Sequence, residues 1–206
     1  MSRYVVTGTD TGVGKAVVAA GIAGHLGALY WKPVQAGLDE ETDSEAVRRL
    51  TADRAQVLPE SYRLTTPCSP HEAARIDGVR IDPAMLTLPA GDGPLIVEGA
   101  GGVLVPINDD TLYADLFAEW RLPVILVART ALGTINHSLL SLEALRARGL
   151  QVAGVVFSGD ENAPSERAII AFGQCRHLGR LPRLDPLTPV TLADAVTANI
   201  RMDLLA

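Results

Sequence analysis

Gly8-Thr9-Asp10-Thr11-Gly12-Val13-Gly14-Lys15-Ala16 lies between a β-like segment, Tyr4-Val5-Val6-Thr7, and a run of small residues, Val17, Val18, Ala19, Ala20, Ile22 and Ala23, that reads as a helix. A strand, a glycine loop and a Lys-led helix make a phosphate-binding loop. Backbone N–H groups and a helix N-terminus converge on an anion there, and the lysine adds a point charge. The loop is a variant. The standard pattern has glycine six residues before the lysine and Ser or Thr after it to hold magnesium. Here Thr9 stands at the first place, with Gly8 one step earlier, and Ala16 at the second.

Working outward, 206 residues fit one domain, 1–206. A hydrophobic content of 48% with 20% charged residues supports a core and excludes a disordered chain. The net charge of −6 argues against nucleic acid or an anionic membrane as a general partner, but not against a nucleotide, which needs only a local positive field. Cys68 and Cys175 have no metal-ligand spacing and are expected as reduced thiols, buried or half-buried. Met1-Ser2-Arg3 runs directly into a strand, so no signal peptide is expected. No apolar run reaches membrane-spanning length, and the expected location is the cytoplasm.

Apolar runs at Tyr4–Thr7, Ala28–Trp31, Leu95–Val97, Val124–Ala128 and Val152–Phe157 read as strands, with a short one near Leu178–Leu181. Several are apolar throughout, as in parallel sheets covered on both faces. Ile135, Leu139, Leu142 and Leu145 line one helical face that Gly149 ends. Thr42 and Glu45 read as a capping box, and Thr191 as the cap of a helix carrying Leu192, Val196, Ile200 and Leu204. The expected fold is α/β: a doubly wound, mostly parallel sheet with helices on both faces, its ligands beyond the carboxyl ends of the strands.

Pro94-Leu95-Ile96-Val97-Glu98-Gly99-Ala100-Gly101-Gly102 delivers Glu98 at a strand end, where an acid holds magnesium directly or through water. Its glycines let backbone amides approach an anion. A glycine turn with a solvated Glu98 is the plainer alternative. Lys32, in Tyr30-Trp31-Lys32-Pro33-Val34, ends another strand at the same sheet edge as Lys15 and Glu98. Asp43 lies in the first turn of its helix, where the dipole alone favours an acid. His71 has no nucleophile partnered with it, and Ser69-Pro70 reads as a helix start. Gly133-Thr134-Ile135-Asn136-His137 opens a helix whose free N–H groups suit a carboxylate, although capping by Thr134 explains the same residues.

In order and spacing, these segments resemble the dethiobiotin synthetase family of biotin biosynthesis. The resemblance rests on the loop ending at Lys15, Lys32-Pro-Val34, Thr42-Asp43, Ser69-Pro-His71, Val97-Glu-Gly-Ala-Gly-Gly102, Pro123-Val-Ile-Leu-Val127 and Leu132-Gly-Thr-Ile-Asn-His137. It implies a phosphate-binding-loop NTPase fold. The implied reaction is ATP-dependent closure of a cyclic urea from 7,8-diaminopelargonic acid and CO2, through a carbamate and a carbamic–phosphoric anhydride. Lys15 and Lys32 would be catalytic, and Asp43 and Glu98 would hold Mg2+. Gly12, Val13, Gly14, Lys15, Ala16 and Val17 would contact ATP, with Asp43, Glu98, Gly99, Ala100, Gly101, Ser158, Gly159, Pro182, Arg183 and Leu184. Thr11, Lys32, Ala36 and Gly101 would meet the diamine. Its carboxylate would reach Thr134, Ile135 and Asn136 of the other subunit of a homodimer.

Three positions depart from the family. Ala16 lacks the metal-ligating hydroxyl, which implies a higher magnesium requirement and slower turnover. Ala36 stands where members often offer a hydroxyl to the substrate. Ser158-Gly159 replaces an Asn-Asp pair that reads adenine, which loosens the expectation of strict ATP use. Among rivals, partitioning-type ATPases carry a second lysine where this chain has Asp10, and cobyrinate amidases need an additional glutaminase domain. A nucleotide-binding switch or degenerate homologue without turnover is the alternative that Ala16 supports.

Overall fold

Val5 and Val6 are both fully buried yet belong to different cores, because successive strand side chains point to opposite faces of a sheet. The computed structural model, which describes residues 2–205, extends this alternation across a seven-stranded sheet. Its strands are β1 (Arg3–Gly8), β2 (Leu29–Trp31), β4 (Gln56–Val57), β6 (Leu95–Gly102), β7 (Val124–Arg129), β8 (Val152–Ser158) and β9 (His177–Leu181). They lie in the order β4-β2-β6-β1-β7-β8-β9, and every pairing is parallel. The doubly wound expectation holds.

Helices cover both faces. On one, α1 (Lys15–Leu26), α2 (Asp43–Thr51) and α7 (Pro189–Asn199) pack over Val6, Tyr30, Ile96, Ile125 and Val156. On the other, α3 (Pro70–Ile76), α4 (Tyr113–Trp120), α5 (Thr134–Ala147) and α6 (Ala163–Gly173) pack over Val5, Trp31, Val97, Leu126 and Phe157. The small residues of α1 let it lie close to its neighbours: a Cβ on Gly21 would come within 2.5 Å of Val196 Cγ2. No helix among the described residues is long and apolar enough to cross a membrane.

The structure corrects the sequence reading in several places. A separate two-stranded parallel sheet, β3 (Val34–Ala36) with β5 (Tyr62–Leu64), was not expected. Neither was β4. The last helix is capped by Thr188, with Pro189 at its first position. Thr191 is its N3 residue and the second half of the capping box. That helix stops at Asn199, leaving Ile200 and Leu204 outside it. On α5 only Leu142 and Leu145 of the expected face are fully buried, while Ile135 is exposed. Cys68 is exposed rather than buried.

Candidate active site

The loop between β1 and α1 takes its shape from its glycines. Gly12 and Gly14 have φ of 71° and 90°, the left-handed region that disfavours a Cβ. A Cβ on Gly14 would also sit 2.5 Å from Ser158 Oγ, which places the end of β8 against the loop. Lys15 is the first residue of α1, and its Nζ curls back to donate to the Asp10 carbonyl at 2.8 Å. Burial pulls the Lys15 ammonium down to about 8. The charge of Lys32 adds to this, while Glu98, Asp43 and Asp10 oppose it. Asp10 turns its carboxylate outward, accepting from the Thr11 N–H at 2.7 Å and lying 4.0 Å from Arg129.

The second half of the site comes from the pairing of β2 with β6. Tyr30 stands opposite Ile96 and Trp31 opposite Val97. One step on, Lys32 therefore meets Glu98 at the carboxyl edge of the sheet. Lys32 Nζ donates to Glu98 Oε1 at 3.1 Å, to Asp43 Oδ2 at 2.5 Å and to the Gly99 carbonyl at 3.3 Å. Burial alone would lower the Lys32 pKa, but Glu98 and Asp43 outweigh it and hold the ammonium above the usual lysine range. Glu98 is almost fully buried, and burial raises its pKa against the opposing charge of Lys32. Its other oxygen, Oε2, accepts from the Tyr30 hydroxyl at 2.8 Å. Asp43 is carried in by α2, whose start is fixed by the Thr42–Glu45 capping box, as the sequence indicates.

Lys15, Lys32, Asp43 and Glu98 share a cavity of about 630 Å³ with Thr11, Gly12, Gly14, Ala16, Val17, Ala36, Ala100 and Gly101. Val13 is instead buried beneath the loop, and Gly99 meets Lys32 through its carbonyl. Gln35, Pro67, Cys68, Ser69, Pro70 and Val105 also line the cavity; the sequence named none of them as site residues and read Ser69-Pro70 only as the helix start that it is. Gln35 is the most informative of these. Its Oε1 accepts from the Asp43 N–H at 3.4 Å, tying β3 to the start of α2.

Other expected residues lie outside this cavity. The Gly159 N–H donates to the Leu181 carbonyl and its own carbonyl accepts from Arg180, so both backbone groups are engaged within the fold. Arg183 lies 4.0 Å from the exposed Asp160, and Leu184 packs against the core beneath α1 and α7. Pro182 follows the last residue of β9. At the start of α5, Thr134 does not cap the helix. Gly133 occupies the cap at φ 91°, and the Thr134 hydroxyl donates to the Arg129 carbonyl. Ile135 and Asn136 are exposed in the first turn.

The donor set is compatible with magnesium. No group of three or more His, Cys, Asp or Glu among the described residues forms a closed metal cage. Magnesium does not need one, since it keeps several waters and binds through one or two carboxylates and phosphate oxygens. Asp43 and Glu98 supply two such carboxylates on the cavity wall beside the phosphate loop.

Residues 2–191 match a family model described as "AAA domain". A protein of Agrobacterium fabrum (strain C58) named "ATP-dependent dethiobiotin synthetase BioD" is 59% identical over 201 residues, covering 97% of this chain and 95% of its own. A protein of the same name from Rhodopseudomonas palustris (strain BisB5) is 61% identical over 196 residues, covering 95% and 92%. Among solved structures, the MinC:MinD cell division protein complex of Aquifex aeolicus superposes with a TM-score of 0.62 at 12% identity, covering all of this chain and 93% of that one. A plasmid partition protein from Borrelia burgdorferi gives 0.61 at 9% identity, covering 96% of each. These two likenesses concern the fold alone.

Proposed function

The chain belongs to the ATP-dependent dethiobiotin synthetase family, and from that membership we propose which of its residues carry the reaction. The protein is an ATP-dependent ligase of biotin biosynthesis. The reading without turnover is not favoured, because the matched relatives carry the synthetase name. The single domain, 1–206, acts on 7,8-diaminopelargonic acid, CO2 and ATP. The observation that supports these assignments is the convergence of Lys15, Lys32, Asp43 and Glu98 on one cavity at the strand ends.

One amine of the substrate adds to CO2 and loses a proton, giving a carbamate. A carbamate oxygen attacks the γ-phosphorus as the bond to the bridging oxygen of ADP breaks. The second amine then attacks the carbamoyl carbon, expels phosphate, loses its proton and closes the ring. No protein nucleophile is needed, so the work is positioning and charge stabilisation. Lys15 bridges the terminal phosphates and the carbamate, and Lys32 stabilises the carbamate and the charge that grows during transfer. Gly12, Val13, Gly14, Ala16 and Val17 surround the phosphates. Thr11 and the Gly99–Gly101 backbone meet the diamine beside Ala36. Ser158, Gly159, Pro182, Arg183 and Leu184 lie toward the nucleoside. Asp43 and Glu98 hold Mg2+, which neutralises the terminal phosphates when bound.

The chain acts as a homodimer in this reading. Thr134, Ile135 and Asn136 of one copy receive the substrate carboxylate of the other at the start of α5, where the Thr134 N–H is already given to the Ala131 carbonyl. Exposed Leu104, Leu132, Ile135 and Leu140 around that helix start supply apolar surface for such a contact. The direct test is a single-turnover assay with ATP, bicarbonate and the diamine, following phosphate and dethiobiotin together. Stoichiometric formation of both is expected. Phosphate release that ignores the diamine, or none at all in high magnesium, would refute the assignment.

A further inference from the structure

Tyr30 takes no part in the reaction outlined above, yet it makes one of the most buried polar contacts in the molecule. Its side chain is fully buried, and its hydroxyl reaches Glu98 Oε2 at 2.8 Å while Lys32 holds Oε1 at 3.1 Å. The contact follows from strand geometry. Tyr30 and Lys32, two residues apart, share a face of the sheet with Ile96 and Glu98, their neighbours in β6. The terminal torsion of a glutamate is broad and roughly two-fold, so the side chain alone does not fix the plane of its carboxylate. Two donors on opposite oxygens do fix it.

We propose that Tyr30 is a positioning residue that locks the plane of the Glu98 carboxylate, so that the oxygen beside Lys32 stays turned to the cavity. This rests on the reading of Glu98 as a magnesium ligand. Partners that orient metal ligands from behind change metal affinity or activity by about 10- to 100-fold when removed. Lys32 does not replace Tyr30 in this role. Its ammonium is shared among Glu98, Asp43 and the Gly99 carbonyl, and in the proposed reaction it is the group that turns to substrate. A purely structural tyrosine would affect folding and leave the response to magnesium alone.

The test compares the full chain with Tyr30→Phe, Glu98→Gln and the double variant. The readout is affinity for a non-hydrolysable ATP analogue, measured with magnesium and again with a chelator, beside ligand-free thermal unfolding. Tyr30→Phe keeps the ring and removes only the donor. It is expected to lose about tenfold of the gain in affinity that magnesium confers, with chelator affinity unchanged. In the Glu98→Gln background the same change is expected to add nothing, because the two residues act as one unit. A full magnesium gain in Tyr30→Phe with a reduced one in Glu98→Gln overturns the proposal and leaves the metal reading standing. A full gain in Glu98→Gln overturns both. Equal losses with and without magnesium also overturn the proposal. Should Tyr30→Phe alone be unstable, comparing the double variant with Glu98→Gln decides: a further loss of magnesium gain overturns the proposal, and none supports it.

Discussion

Ala16 carries a methyl group where a loop of this kind usually carries a hydroxyl, and its effect on magnesium can be measured. A missing neutral ligand is replaced by water, so ATP still binds while the metal is held less well. Ala16→Thr is expected to lower the half-saturating magnesium concentration about three- to tenfold and to raise kcat. Superimposable magnesium curves for the two proteins would refute this. Lys15 gives a pH signature. With its ammonium lowered to about 8 by burial, much of the unliganded protein at about pH 9 lacks that proton, and an arriving triphosphate draws it back. Calorimetry in buffers of different ionisation enthalpy should show proton uptake at about pH 9 and almost none at about pH 7. Equal heats at about pH 9 would contradict it. For stability the sign is reversed: the unfolded chain binds this proton more tightly, so the Lys15 contribution becomes more favourable as pH rises from about 8 toward 10.5. Lys32 and Glu98 were legible in the sequence because each directly follows an apolar run, and Lys15 because a glycine loop leads from a strand into it. Tyr30 was not, because an aromatic inside a strand reads as core. Only its two-residue spacing from Lys32 gave a signal.

At the scale of elements, α2 deserves a test because its first residue is Asp43. Thr42 is buried and accepts from the Glu45 N–H at 3.3 Å, and Glu45 returns the bond to the Thr42 N–H at 2.9 Å. Thr42→Ala is expected to cost about 1 kcal/mol in urea unfolding and to raise the KM for magnesium-ATP more than it lowers kcat. Unchanged stability would show that the cap is dispensable. This cap was legible because a Thr three residues before a Glu, ahead of apolar spacing, has one common meaning. The cap of α7 was misread because Thr188 and Thr191 both suit that role. Proline at the first helical position, here Pro189, was the deciding signal. The pairing of β3 with β5 was hidden for a different reason. Three-residue strands have no period to read, and their partners are fixed by tertiary contact.

In the proposed reading one chain holds the phosphates, whereas the carboxylate site needs two. Leu140 lies on the exposed side of α5 and does not itself line the cavity that holds the lysines. Leu140→Glu is expected to shift the protein to monomers in sedimentation and to raise the KM for the diamine at least about tenfold, with the KM for ATP little changed. A monomeric variant with an unaltered diamine KM would separate assembly from substrate recognition. The family resemblance pointed to Thr134, Ile135 and Asn136 at a subunit contact, but the leucines beside them were not legible, since exposed leucines are ordinary until the fold groups them.

The outer border of the sheet carries its own safeguard at Gly179. Ile200 forms an antiparallel bridge to that residue, and a Cβ there would lie 2.0 Å from the Asn199 carbonyl oxygen. Any larger residue would push the chain end off and bare unsatisfied amide groups to passing molecules. Gly179→Ala should therefore cloud on warming where the parent solution stays clear, as turbidity would register. One hydrogen atom in place of a methyl thus lets the segment after α7 cover the border of the sheet.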